Sequence, residues 1–234
     1  MSPNNMKILA ILTLLTIQLE TKAQRDTIPY RSFEVDAKSE KVVIYDRQSS
    51  INMGAKPLMI TNGGMFDPDY SPHGLLVCNH KVYKGLDTRT AKNANFYLQP
   101  NGVFFIEGGK YAVLSTKAFR EKYPDLKDKS PDFATQSGPM LVINDSINSN
   151  FTNGSQNMNI RSGVGILPNG NPVFIICQGI NFYDFAALFK DKFGCRSALF
   201  LDGAISEMFV GPQEEQKLAN FSFGPMIAVW RLNL

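Results

Sequence analysis

Through most of the chain, apolar and polar residues alternate in short runs broken by Gly, Asn, Asp and Pro. That is the pattern of half-buried β-strands joined by tight turns. RSFEVD and KVVIYD bracket the turn-prone AKSE, and KPLMIT runs into NGGMFDPDYSPHG. GLLVC and KVYKG flank Asn79-His80, and NGVFFIE and KYAVLS flank Gly108-Gly109. RSGVGI and PVFIICQG flank the turn at Pro168-Asn169-Gly170-Asn171. The last three pairs predict β-hairpins, because Gly and Asn accept the positive φ that tight turns demand. MLVIN, SALFLD and GPMIAVWRL predict further strands.

The period changes in two places. TKAFREKY predicts a short helix. From Asn181 onward, Phe182, Phe185, Ala186, Leu188, Phe189 and Phe193 fall near one face of a 3.6-residue period. Asn181 suits the N-cap, Asp184 follows it as in a capping box, and Gly194 is placed to end the helix. Hairpins with two or three helices predict an α+β fold, mainly antiparallel sheet, in one domain over residues 24–234. The polar stretch NDSINSNFTNGSQNMNI (144–160) predicts a mobile loop, one that covers a site or merely connects two strands.

The first 23 residues are set apart. Lys7 precedes the apolar run ILAILTLLTI, and Thr21 and Ala23 are small residues at the spacing a signal peptidase reads. A signal peptide over residues 1–23 is expected, cleaved after Ala23. The apolar run is short for a bilayer, which needs about 20 residues. The expectation is therefore a periplasmic or secreted protein without a stable membrane anchor.

Composition narrows the class. The 234 residues are 44% hydrophobic and 19% charged, with a formal net charge of +3. A sizeable core is possible, and the charge is too small to argue for a nucleic-acid partner. Three cysteines, Cys78, Cys177 and Cys195, leave at least one thiol unpaired and fit no zinc or CxxC spacing. Buried free thiols are expected, with a Cys177–Cys195 disulfide as the alternative.

Four polar turns that abut strands are candidates for chemistry. Asn62-Gly63-Gly64 offers an amide and two residues that let backbone come close; taken alone, a tight turn is the plainer reading. Gln136-Ser137-Gly138-Pro139 lacks the GxSxG nucleophile elbow, so backbone lining a polar pocket is the better reading of Ser137 and Gly138. Arg161, beside Ser162 and Gly163, carries a planar fork that suits phosphate or carboxylate; the alternative is a surface ion pair. Asp202-Gly203 ends the run ALFL, which would hold a carboxylate rigidly, unless it is a plain Asp-Gly turn. Glu207 lies close enough in sequence to suggest a second carboxylate, but the alternating SEMF favours a solvent-facing position. Asp67, Asp69 and Asp202 are acids that a hard cation would take, yet they lack EF-hand-like spacing. No metal or other cofactor is expected.

Taken in order, NGGMF, QSGPMLV, RSGVGI, INFYDFAALF and ALFLDGAISEMF make the chain resemble the phosphodiester glycosidase family, from about residue 35 to residue 231. That family includes the lysosomal uncovering enzyme, which removes N-acetylglucosamine from the mannose 6-phosphate tag. The likeness is closer to a bacterial subgroup of exported proteins. Asn62, Gly63, Gly64, Arg161, Asn181 and Asp202 match its motifs. Where the family often has Asp-Gly-Gly-Gly-Ser, this chain keeps Asp202, Gly203 and Ser206 but carries Ala204 and Ile205. Glu207 matches no family acid.

The resemblance implies hydrolysis of a sugar-1-phosphodiester, with N-acetylglucosamine-1-phosphodiester-like molecules or glycan phosphodiesters as substrates. It implies Asp202 and Arg161 as catalytic residues. Asn62, Gly63, Gly64, Ser137, Gly138, Asn181, Gly203 and Ser206 become the substrate-binding residues. Two other readings stay open: a carbohydrate- or cell-wall-binding module without turnover, suited by the lost glycines, and an ester or amide hydrolase with Ser137 as nucleophile.

Overall fold

The computed structural model describes residues 28–52, 54, 56–90, 95–211, 214 and 216–232. The expected signal peptide lies outside the described residues. The described strands are β1 (Tyr30–Glu34), β2 (Glu40–Tyr45), β3 (Met59–Asn62), β4 (Leu76–Cys78), β5 (Lys81–Lys84), β6 (Gly102–Glu107) and β7 (Lys110–Ser115), then β8 (Phe133–Ser137), β9 (Met140–Ile143), β10 (Ser146–Ile147), β11 (Asn159–Ile166), β12 (Pro172–Ile180), β13 (Ser197–Asp202), β14 (Met208–Val210) and β15 (Met226–Arg231). Helix α1 spans Thr116–Lys122 and α2 spans Phe182–Ala187, continued by a π-helical turn over Leu188–Lys192.

Among the described residues these strands form three antiparallel sheets. Their orders are β1-β12-β11-β13-β9-β10, β14-β3-β15-β2 and β5-β4-β8-β6-β7. The fold is α+β, with sheet dominating. The three expected hairpins form as β4–β5, β6–β7 and β11–β12. Asn79 and His80 take φ of 50° and 64°, and Gly108 and Gly109 take 56° and 73°, as such turns require. The segment AKSE behaves differently. Asp36 accepts from Ser39 and Lys38 and closes a turn, but β1 pairs with β12 and β2 with β15. This turn moves the chain from one sheet to the next instead of making a hairpin. Local turn chemistry cannot distinguish the two outcomes, since only pairing partners do.

Alternation decides which face of each strand is buried and against what. On β13, Leu199 and Leu201 enter a cluster shared by all three sheets, with Ile44, Leu76, Phe104, Phe174 and Val229. Ala198 and Phe200 point the other way, into a second cluster with Phe185, Ala186 and Phe189 of the helical layer. Helix α1 covers the far face of the five-stranded sheet with Phe119. Both helices begin where expected. Ser115 Oγ accepts from Ala118 N at 3.2 Å, and Asn181 Oδ1 from Asp184 N at 2.9 Å. Gly194, at φ 66°, ends the second.

All three cysteines are free thiols, and burial pushes Cys78, Cys177 and Cys195 up to about 12, 11 and 12. Among the described residues no helix is long and apolar enough to cross a membrane.

The seam between β11 and the helical layer is tight. A Cβ on Gly165 would lie 2.6 Å from Phe189 and 2.7 Å from Cys195 Sγ. Gly165→Ala should therefore cost roughly 1–3 kcal/mol by overpacking. That loss should appear as a lower urea midpoint at unchanged slope. Gly85→Ala, where nothing lies within 4 Å of the added carbon, should leave the midpoint near wild type.

Candidate functional site

The polar turns singled out in the sequence come together at the ends of β3, β8, β11 and β13. Asn62 Nδ2 donates to Ser206 Oγ at 3.3 Å, and Asn62 Oδ1 accepts from Glu207 N at 3.2 Å. Ser206 Oγ is 2.8 Å from Ser162 Oγ, and Ser162 Oγ donates to Asp202 O at 3.3 Å. Ser137 Oγ donates to Leu201 O at 2.6 Å, one residue before Asp202. Gly64 N donates to Thr135 Oγ1 at 3.1 Å. A Cβ on Gly64 would collide with the Gln136 carbonyl oxygen, and one on Gly138 would lie 2.6 Å from Asn101 Cβ. These glycines permit close approach of backbone to protein.

Several expected ligand-binding side chains are thus buried fasteners. Asn62, Ser137 and Ser206 are almost wholly buried and bonded to protein atoms. Ser137 has no histidine base. His73 bonds Asp67 and Tyr97, and His80 lies 3.4 Å from Asp132. Asn181 caps α2, and its Nδ2 reaches Ser155 O at 3.0 Å, tying the helix to the polar loop. Glu207 contributes backbone to the strand ends: its N–H goes to Asn62, and its carbonyl accepts from Thr61 Oγ1. Gly203 leaves ordinary space, its added Cβ meeting Phe200 only at 3.6 Å.

Two residues keep unused hydrogen-bonding capacity. Arg161 on β11 is 2% exposed, yet no carboxylate pairs with it among the described residues. Its Nε donates to Ile180 O at 2.8 Å, and Nη2 to Asn157 O at 3.1 Å. The guanidinium lies 3.6 Å over the Phe182 ring. Nη1 has no acceptor among the described residues. Arg161 lines a cavity of about 160 Å³ with Asn157, Gln99, Asn150, Phe182 and Tyr183. Burial pulls its pKa down to about 10, which still leaves it charged at neutral pH. Asn150, Phe151, Thr152, Ser155 and Asn157 of the polar stretch 144–160 form part of the cavity wall, and side chains in the stretch bond to neighbouring backbone. Asn148 Nδ2 donates to Met140 O at 2.9 Å and Asn150 Nδ2 to Gln99 O at 2.8 Å.

Asp202 ends β13. Its Oδ1 accepts from Gly203 N at 2.7 Å, and Oδ2 has no partner among the described residues. Burial drives its pKa up to about 6, against the lowering effect of that N–H. Arg161 and Asp202 do not touch. Asp202 pairs across the sheet with Ser162, the neighbour of Arg161, and the Phe200 ring centroid lies 5.8 Å from the guanidinium carbon with its tip near Gly203. Asp67 and Asp69 do not join them. Asp67 is held by His73 and Lys84, Asp69 caps Ser71 N, and no metal-holding cluster of three such ligands occurs among the described residues.

Sequence reasoning missed Asn157, Gln99 and Phe182 as neighbours of Arg161. It also missed the chain Asp67–His73–Tyr97, joined at 2.8 and 2.9 Å. Phe182 sits beside the flagged Asn181, which was a usable signal; Tyr97 lies 24 residues from His73 and gave none.

Comparison with known proteins fits this arrangement of motifs. The phosphodiester glycosidase family model matches residues 55–229. An uncharacterised protein of Escherichia coli (strain K12), YigE, is 33% identical over 217 residues, covering 86% of this chain and 83% of that one. A hypothetical protein from Synechocystis shares the fold at a TM-score of 0.52 and 12% identity, with 88% of this chain and 59% of that one covered.

The buried carboxyl has a consequence for stability. Because its folded pKa lies above the ordinary carboxylate value, the folded state holds the extra proton between about pH 4 and 6. Its contribution is favourable below pH 4 and is lost as pH rises through 6. Asp202→Asn should therefore stabilise the protein at pH 7–8, on the order of 1–3 kcal/mol. The advantage should fade by pH 4. Thermal denaturation of both proteins across pH 4–8 checks this, and a pH-independent difference would contradict the assignment.

Proposed function

The chain belongs to the phosphodiester glycosidase family, and from that premise we propose that it hydrolyses the bond between a sugar's anomeric carbon and the phosphate of a sugar-1-phosphodiester. N-acetylglucosamine-1-phosphodiester-like molecules are the substrates it would take. The observation that carries this reading is Arg161, a buried guanidinium that faces a cavity and has no carboxylate partner among the described residues. Leaving such a charge unpaired costs several kcal/mol, so a structure retains it where an anion completes it. A phosphodiester is that anion, and the fork geometry of Arg161 matches two of its oxygens.

Asp202 supplies the second requirement. A phosphodiester is a good leaving group, so departure needs charge stabilisation more than protonation. Arg161 would hold the phosphate as its negative charge grows, the effect that often contributes most. Asp202, ionised above about pH 6, would attack the anomeric carbon or deprotonate the water that does. The unpartnered Oδ2 is the atom for either role. The glycines and buried hydroxyls that fasten the strand ends keep the carboxylate rigid. The leader-like residues 1–23 support an exported protein working in the periplasm or outside the cell.

Release of free sugar from a panel of sugar-1-phosphodiesters by the chain from Gln24 onward tests the reading. Asp202→Asn should lower kcat by about 10²–10⁴-fold while the fold is kept. Arg161→Lys keeps a charge but loses the fork and should raise KM and lower kcat, together about 10²–10³-fold. Wild-type rate at pH 5 should fall as Asp202 takes up its proton. A folded protein that binds glycans without turnover would favour the carbohydrate-binding module instead.

A further inference from the structure

A hydrolysis in which a carboxylate attacks the sugar needs a second group to deprotonate water, because the attacking oxygen is already bonded to carbon. No other carboxylate is hydrogen-bonded to Asp202 or ion-paired to Arg161 among the described residues. The side-chain chain Asp67–His73–Tyr97 is carried by segments that adjoin those of Asp202 and Arg161. His73 N donates to Met65 O, and Met65 packs into the cluster that contains Phe200, two residues before Asp202. Tyr97 leads directly into Leu98 and Gln99, which line the Arg161 cavity. A Cβ on Gly138 would lie 2.9 Å from Phe96 O, and the next residue, Pro139, accepts from Phe200 N at 3.1 Å. The segments carrying Tyr97, Pro139 and Asp202 are therefore successive neighbours.

The hydrogen-bond directions in this chain are fixed by elementary chemistry. Asp67 Oδ1 can only accept, so in the neutral ring His73 Nδ1 carries the hydrogen. Nε2 is then an acceptor, and the Tyr97 hydroxyl at 2.9 Å must donate to it. That leaves the phenolic lone pairs turned away from His73. The ring of His73 packs edge-on against Phe96 and Tyr97, at 4.6 and 5.4 Å between centroids. Lys84 Nζ lies 3.7 Å from the other oxygen of Asp67, and the Arg89 guanidinium lies 5.6 Å over the Tyr97 ring, itself paired with Asp87. An acid orienting a histidine that takes a proton from a hydroxyl is the logic of an activated side chain.

We propose that Tyr97 is the group that handles the water proton in this site, with His73 and Asp67 as its positioning partners. This rests on the phosphodiester reading above. In the first step Asp202 Oδ2 bonds the anomeric carbon as the carbon–oxygen bond to phosphate breaks. The electron pair leaves on a phosphate monoester beside Arg161. In the second step water bonds the anomeric carbon and the bond to Asp202 breaks, returning its electrons to the carboxylate. The water's proton passes to Tyr97 Oη as the Tyr97 proton passes to His73 Nε2, and Asp67 holds the resulting imidazolium. The anomeric configuration is retained.

The probe is the methyl phosphodiester of N-acetylglucosamine 1-phosphate, followed by quench-flow and by product analysis. Tyr97→Phe removes one oxygen. It should release one methyl phosphate per enzyme in a first-turnover burst, then slow at least about 100-fold. Azide, an anionic nucleophile that needs no base, should restore turnover and give the glycosyl azide. His73→Gln should show the same burst and the same rescue with a smaller loss. Wild-type turnover by Tyr97→Phe, a loss that azide does not rescue in a protein of unchanged melting temperature, or inversion of configuration would overturn the relay alone. If Tyr97→Phe melts early, His73→Gln decides by the same burst and rescue. Absence of turnover in the wild type on every diester would overturn the phosphodiester reading and the relay with it.

Discussion

Burying a guanidinium without a carboxylate is costly, and the region around Arg161 is organised to tolerate it. Three consecutive residues do most of this. Ile180 offers its carbonyl to Nε, Asn181 caps α2 and ties it to Ser155, and Phe182 lies under the guanidinium plane. Phe182 also stacks on Phe151 at 5.0 Å and 9°, which fixes the polar loop against the helix. Strand β12, helix α2 and the loop therefore meet at one cation. The charge has donors satisfied on two sides and left open on the third, toward the cavity. Under the phosphodiester reading this imbalance suits an incoming anion, since a carboxylate partner would compete with it.

The carboxylate is arranged in the opposite sense. Asp202 receives one backbone N–H and little water, so its charged form is held at a higher free energy than in solution. Its backbone is fixed by Ser162 on one side, and Ser137 bonds the preceding carbonyl on the other. The buried amide of Asn62 carries the same fastening through Ser206 into the four-stranded sheet. Polar side chains hydrogen-bonded to protein atoms hold the strand end that carries Asp202 in place. Departures from the family motif at Ala204 and Ile205 fall outside this network, and Ile205 is 52% exposed.

Much of the fold was legible because it follows from local rules. Alternation gave most of the strands but not β8, β10 or β14, the 3.6-residue period gave the helix after Asn181, and Gly108-Gly109 and Asn79-His80 gave their hairpins. The AKSE turn shows the limit, since its residues close a turn equally well between paired and unpaired strands. The polar stretch 144–160 shows another. Its asparagines read as loop composition, yet Asn148 and Asn150 bind carbonyls on β9 and at Gln99, which no periodicity could indicate.

Local pattern was enough for twelve of the fifteen described strands, both helices, the α+β class, and the candidates Arg161 and Asp202 at strand ends. It also brought forward Asn62, Ser137 and Ser206, because a polar residue beside glycine looks alike whether it binds protein or ligand. Only the tertiary structure sorted them. It consumed those three side chains in bonds to other segments, left Nη1 of Arg161 and Oδ2 of Asp202 without partners among the described residues, and joined His73 to Tyr97 across 24 residues. The reason is physical. Backbone propensity and burial pattern act over a few residues and are written locally, whereas a hydrogen bond's partner is set by which distant segments the packed core brings within about 3 Å.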